Sequence, residues 1–74
     1  MNMVTDINEE TFAFLSNGMS IDEVQGIIGV PPTTETTTEM LGITTTIIMW
    51  MDGISSISVT FTDGHVISTL QMGL

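Results

Sequence analysis

Two Asp-Gly pairs, Asp52-Gly53 and Asp63-Gly64, constrain this chain more than any other feature of its sequence. Asp-Gly between runs of alternating apolar and polar residues is a strong hairpin signal, because both central residues tolerate positive φ. The pairs separate Ile43 to Met51, Ile54 to Thr62 and His65 to Met72, each rich in β-branched residues. A third turn signal, Leu41-Gly42, sets off the Thr-rich run Thr33 to Met40. Four strands joined by three tight turns predict an antiparallel meander.

Upstream of Pro31-Pro32 the grammar is helical. Ser20-Ile21-Asp22-Glu23 has capping-box spacing with Ser20 as N-cap. Ile21, Val24, Ile27 and Ile28 then recur on one helical face, Gly29 supplies a stop, and the two prolines forbid continuation. An earlier helix is expected from about Asn8 to Ser16. Asp6 or Asn8 would cap it, Glu9 and Glu10 suit its first turn, Phe12 and Leu15 share a face, and Ile7 acts as a staple. Gly18-Met19-Ser20 makes the corner between the helices. The fold class is therefore α+β: a helix–turn–helix followed by a four-stranded antiparallel β-meander, with the helices packed on one face of the sheet. Residues 1–74 read as a single domain, with 1–6 as a flexible lead.

Treating both Asp-Gly pairs as the central residues of two-residue turns gives a register. Trp50 then sits opposite Ser55, Ile48 opposite Ile57 and Thr46 opposite Val59. In the last hairpin Phe61 faces Val66, Val59 faces Ser68 and Ile57 faces Leu70. Both hairpins assign Ile48, Trp50, Ile57, Val59, Phe61, Val66, Leu70 and Met72 to a buried face, covered by Phe12, Leu15, Val24, Ile27 and Ile28. The opposite face receives Thr45, Ile47, Met49, Met51, Ser56, Ser58, Thr60, His65, Ile67 and Thr69. From it Ile47, Met49, Met51, Ser58, Thr60 and Ile67 are the candidate protein-binding residues, since adaptable apolar side chains left in water suit a partner.

Charge removes whole classes of function. The chain has nine Asp and Glu residues and no Lys or Arg, for a net charge of −9. There is no guanidinium for a phosphate, no Schiff-base lysine, and no patch to neutralise a nucleic acid or an anionic bilayer. A helix pair without a basic residue cannot read DNA, so no nucleic-acid partner is expected. The longest charge-free apolar stretch, Ile43 to Met51, is too short to span a bilayer as a helix, so no membrane insertion is expected. The start Met1-Asn2-Met3-Val4-Thr5-Asp6 has neither the positive region nor the apolar run of a leader, which suits a soluble domain or the mature part of an exported protein. With no cysteine and one histidine, neither a disulfide nor a structural metal is expected.

Catalysis finds no footing either. His65 follows Asp63-Gly64 and reads as a solvent-facing histidine at a hairpin end. Ser58 and Ser68 lie inside strands, without the strand-to-helix turn that exposes a nucleophile. Asp52 and Asp63 are explained by turn chemistry, and Glu35 and Glu39 are too isolated for a calcium loop. The expectation is a non-enzyme without cofactor. Because Ile43 to Met51 carries no charge and no lysine guards either sheet edge, self-association, a homodimer included, is expected where salt screens the repulsion.

One string of residues resembles a known family. Phe12-x-x-Leu15-x-x-Gly18-Met19-Ser20-x-x-x-Val24-x-x-Ile27-x-Gly29, then Trp50, then Val59-Thr60-Phe61-Thr62-Asp63-Gly64-x-Val66, closing on Gly73-Leu74, is similar to one repeat of the β-lactamase inhibitory protein (BLIP) fold. Related small domains include the SmpA/OmlA-type envelope lipoprotein. The resemblance implies a helix–loop–helix on a four-stranded sheet, an extracellular or cell-envelope location, and action by binding other proteins. In the inhibitor, two repeats form a concave sheet surface rich in aromatic residues; the matching face here offers Ser58 and Thr60. Surface positions where the family carries lysine hold Thr, Ser, Gln, Gly or Ile in this chain. Two functional readings stay open: a non-enzymatic protein-interaction domain of an exported or envelope protein, and a redesigned Lys/Arg-free scaffold of the fold with no retained function.

Overall fold

The computed structural model describes Ile7 and residues 9–73, so the expected caps Asp6 and Asn8 and the lead 1–6 lie outside the described residues. Two helices, α1 (Glu9–Ala13) and α2 (Ile21–Ile28), precede four strands, β1 (Thr34–Met40), β2 (Ile43–Asp52), β3 (Ser55–Thr62) and β4 (His65–Met72). The strands form one antiparallel sheet in the order β1-β2-β3-β4, so the expected α+β meander is present.

α2 forms as its sequence directs. The Ser20 hydroxyl accepts from the Glu23 N–H at 3.2 Å, and the Glu23 carboxylate accepts from the Ser20 N–H at 2.9 Å, closing the capping box. Gly29 ends the helix at φ 79°, a left-handed conformation that glycine adopts without a Cβ clash. Val24 and Ile28 are fully buried beneath it, while Ile27 is half-buried.

α1 is shorter than the expected Asn8 to Ser16. After Ala13 the chain tightens: Phe14 donates to the Thr11 carbonyl and Leu15 to the Phe12 carbonyl, both at 3.1 Å and three residues back. A helix this short gains little from propagation, and Phe14 beyond it is exposed, so no packing favours another turn. Phe12, Leu15 and Ile7 still pack against the core.

The three turns differ in a way that sets register. Leu41-Gly42 and Asp63-Gly64 have positive φ at both central residues, the I′ geometry that matches strand twist. The middle turn is instead Gly53-Ile54, with positive φ at Gly53 alone, which places glycine first, as a II′ turn requires. Asp52 therefore joins β2 opposite Ser55. Trp50 faces Ile57, Ile48 faces Val59 and Thr46 faces Phe61, each partner two residues beyond the expected one. A slip of two keeps every side chain on its face, so the expected burial of β2 and β3 survives the error.

β4 does not survive it intact. Phe61 pairs with Val66 as expected, but the register shifts between Thr60 and Phe61, where Ile67 is the extra residue. Beyond this bulge Val59 faces Thr69 and Ile57 faces Gln71. Leu70 and Met72, expected in the core, are each 64% exposed and belong to the opposite face; Thr69, expected on that face, lies on the helix side. An inserted residue inverts all that follow it.

The core is one contiguous cluster of Val24, Ile28, Ile48, Trp50, Ile57, Val59, Phe61 and Val66. Thr11 and Thr46 are buried with it. The corner after α1 is tied to the sheet by main-chain bonds. Gly18 donates to the Val66 carbonyl, and Val66 donates to the Met19 carbonyl, both at 2.8 Å. β1 lies outside this core, with every residue exposed on both faces.

Candidate protein-interaction face

The helices cover one side of the sheet and leave the other open. Strand pairing places Thr36, Ile47, Thr60 and Ser68 in one row across it, and Thr34, Met49, Ser58 and Leu70 in the next. A third row holds Met51, Ser56 and Met72. Five of the six sequence candidates, Ile47, Met49, Met51, Ser58 and Thr60, are thus brought together. Ile47 is 40% exposed and Met51 is exposed, whereas Met49, Ser58 and Thr60 are half-buried. Ile67 is exposed on the bulge and pairs with no residue of β3.

The arrangement has a profile. β3 contributes small hydroxyl side chains, Ser56, Ser58, Thr60 and Thr62, along the middle. β2 raises Ile47, Met49 and Met51 on one flank, and β4 raises Leu70 and Met72 on the other. Sequence reasoning missed Leu70 and Met72 because nothing around Ile67 announces the bulge. It also passed over Met40 and Ile43, although both sit at even spacing from the candidates on their own strand or its partner.

Charge divides the two sides. The strand carboxylates Glu35, Glu39 and Asp52 pair with Ile48, Thr44 and Ser55, all on the helix-side register. Glu9, Glu10, Asp22 and Glu23 sit on the helices. The paired positions of the open face carry no carboxylate in a chain with a net charge of −9. At its end lies His65, whose Nδ1 is 3.2 Å from the Asp63 carbonyl.

Trp50, the one tryptophan, is not available to a partner. It is buried on the helix side, and its indole N–H donates to the Val30 carbonyl at 3.0 Å. Among the described residues no group of three or more His, Cys, Asp or Glu converges to hold a metal ion. No described helix is long and apolar enough to cross a membrane.

Comparison with known proteins gives a family. No curated protein and no solved structure matches the chain. A family model described as beta-lactamase inhibitor (BLIP) matches residues 8–74, a span that takes in both helices, all four strands and the open face. That is an inhibitor family rather than an enzyme family, and the chain belongs to it.

Proposed function

We propose that this chain is a non-enzymatic protein-interaction domain of an exported or cell-envelope protein, and that it meets its partner with the open face of its sheet. One observation carries the reading: the paired positions of that face carry no carboxylate, which leaves a surface of Ile, Met and Leu around a row of hydroxyls. An exposed apolar patch set among polar residues marks an interaction site. The face holds no Trp, Tyr or Arg, the residues that anchor most interfaces, so a β-lactamase is not the partner proposed.

The test pairs the wild-type domain with Ile47→Glu/Leu70→Glu, both on the open face. Each is immobilised and exposed to secreted and envelope fractions, and captured proteins are identified by mass spectrometry. The expected result is a partner retained by the wild type and lost by the variant, with the melting temperature little changed. Identical capture profiles would reject the open face. They would favour the second reading, a redesigned scaffold without retained function, to which the complete absence of Lys and Arg lends support.

A further inference from the structure

We propose a second site, on the free edge of β1 and not on the centre of the open face: this edge takes up an extended, basic segment of a partner protein as a fifth strand. The edge itself is the first observation. β1 has β2 on one side, and no described residue bonds to its other side. Which main-chain groups point outward follows from Thr44. Its N–H donates to the Asp63 carboxylate at 3.2 Å and its carbonyl accepts from the Asp63 N–H at 2.8 Å, both toward β3. Thr44 therefore exchanges no bond with its β1 partner Glu39. By strand alternation, the N–H and carbonyl groups of Glu39, Thr37 and Glu35 are directed away from the sheet.

Charge selects the occupant. Glu35 and Glu39 lie exposed on one face of β1, on either side of Thr37. The chain has no lysine or arginine of its own, so a Lys or Arg paired with these carboxylates comes from another molecule. A second copy would set like charges directly opposite one another, which destabilises strand pairing. The other sheet edge lacks this signature. Gly18 and Met19 already bond to Val66 of β4, and Ser68 to Met72 carry no charge.

The hairpin tip adds an apolar contact. Leu41 occupies a φ of 55°, where Asn or Asp is the usual residue, and is 95% exposed. A leucine there is conformationally costly and covers nothing within the fold, and backbone outliers of this kind cluster at ligand clamps. It borders an open hollow of about 430 Å³ lined by Thr38, Met40, Leu41, Ile43 and Thr45, at the β1 end of the sheet and on the side opposite to Glu35 and Glu39. An antiparallel segment on β1 would set an apolar residue against Met40, a basic residue against Glu39, and a second basic residue four positions later against Glu35.

The probe is a fluorescein-labelled peptide, Leu-Arg-Thr-Val-Thr-Arg, titrated into the full chain and followed by anisotropy. Backbone NMR shifts locate it. Binding that weakens with salt is expected, with the largest shifts at Glu35, Thr37 and Glu39. A peptide with both arginines replaced by glutamate should not bind, nor should one methylated on the nitrogens of Val and both Arg. Glu35→Gln/Glu39→Gln should weaken binding roughly tenfold without unfolding the chain. Ile47→Glu/Leu70→Glu should leave it unchanged, so this site and the open face stand or fall separately. The proposal is overturned by no binding at about millimolar peptide, by equal binding of the methylated peptide, or by shifts confined to Ser68 to Met72 or to the open face. Sedimentation showing β1 occupied by a second copy would overturn it too.

Discussion

The indole nitrogen of Trp50 reaches across the domain to the Val30 carbonyl, so one side chain both fills the core and anchors the segment that leads from α2 to the sheet. Trp50→Phe keeps an aromatic plate but strands that carbonyl and leaves a void. A loss of about 1–3 kcal/mol is expected in urea unfolding. Leu41 is the converse case, a residue that weakens the fold it belongs to. Leu41→Asn relieves the left-handed strain and should raise stability by about 1 kcal/mol. A neutral or negative change would remove the argument that Leu41 is held there for something outside the domain. Both residues were in view in the sequence, Trp50 as a core residue and Leu41 as part of a turn. Neither the Val30 contact nor the cost of a leucine at that φ was legible, because each depends on where the backbone runs.

Among the elements, β4 offers the sharpest check. With the bulge at Ile67, Leu70→Thr and Met72→Thr replace solvent-facing side chains and should each cost less than about 0.5 kcal/mol. Val66→Ala, before the bulge, should cost about 2 kcal/mol because its side chain is buried. Equal costs at Val66 and Leu70 would restore the unbulged register. Ser20→Ala removes the capping hydroxyl of α2 and should lower stability by about 1 kcal/mol. Turn glycines, cap spacing and period-two alternation are local signals, which is why α2, four strands and six of the eight expected sheet core residues could be read directly. The bulge and the II′ turn could not. A Gly takes the first or second turn position according to how the whole hairpin twists, and Val66, just before the extra residue of β4, is held by main-chain bonds to Gly18 and Met19, far off in the sequence. The open face suffered accordingly: its β2 and β3 members and His65 lie on the expected side, whereas beyond the bulge Thr69 moved to the helix side and Leu70 and Met72 took the open one.

At the scale of the molecule, the unbalanced charge acts on everything at once. With a net charge of −9 and no lysine or arginine to offset it, compaction brings like charges together. Raising ionic strength from about 0.01 M to about 1 M shortens the screening length from about 30 Å to about 3 Å. The melting temperature should therefore climb with added sodium chloride, and a flat profile would show that the carboxylates lie too far apart to matter. The same screening should let the sheet edges and open face approach one another, so light scattering should detect larger species at high salt. A monomer throughout would mean that shape, not repulsion, keeps copies apart.

The position of β1 has a further consequence, kinetic rather than structural. Its main-chain bonds to β2 are backed by no buried side chain, only by contacts such as the 3.3 Å approach of the Thr37 and Thr46 hydroxyls. Such a strand can peel away while Trp50, Val59 and Phe61 stay packed, so its opening free energy is set locally and not by the whole fold. Deuterium should enter the inward amides of β1 well before those of β3. The outermost strand then behaves as a hinged arm that breathes on its own clock, the least committed part of an otherwise cooperative domain.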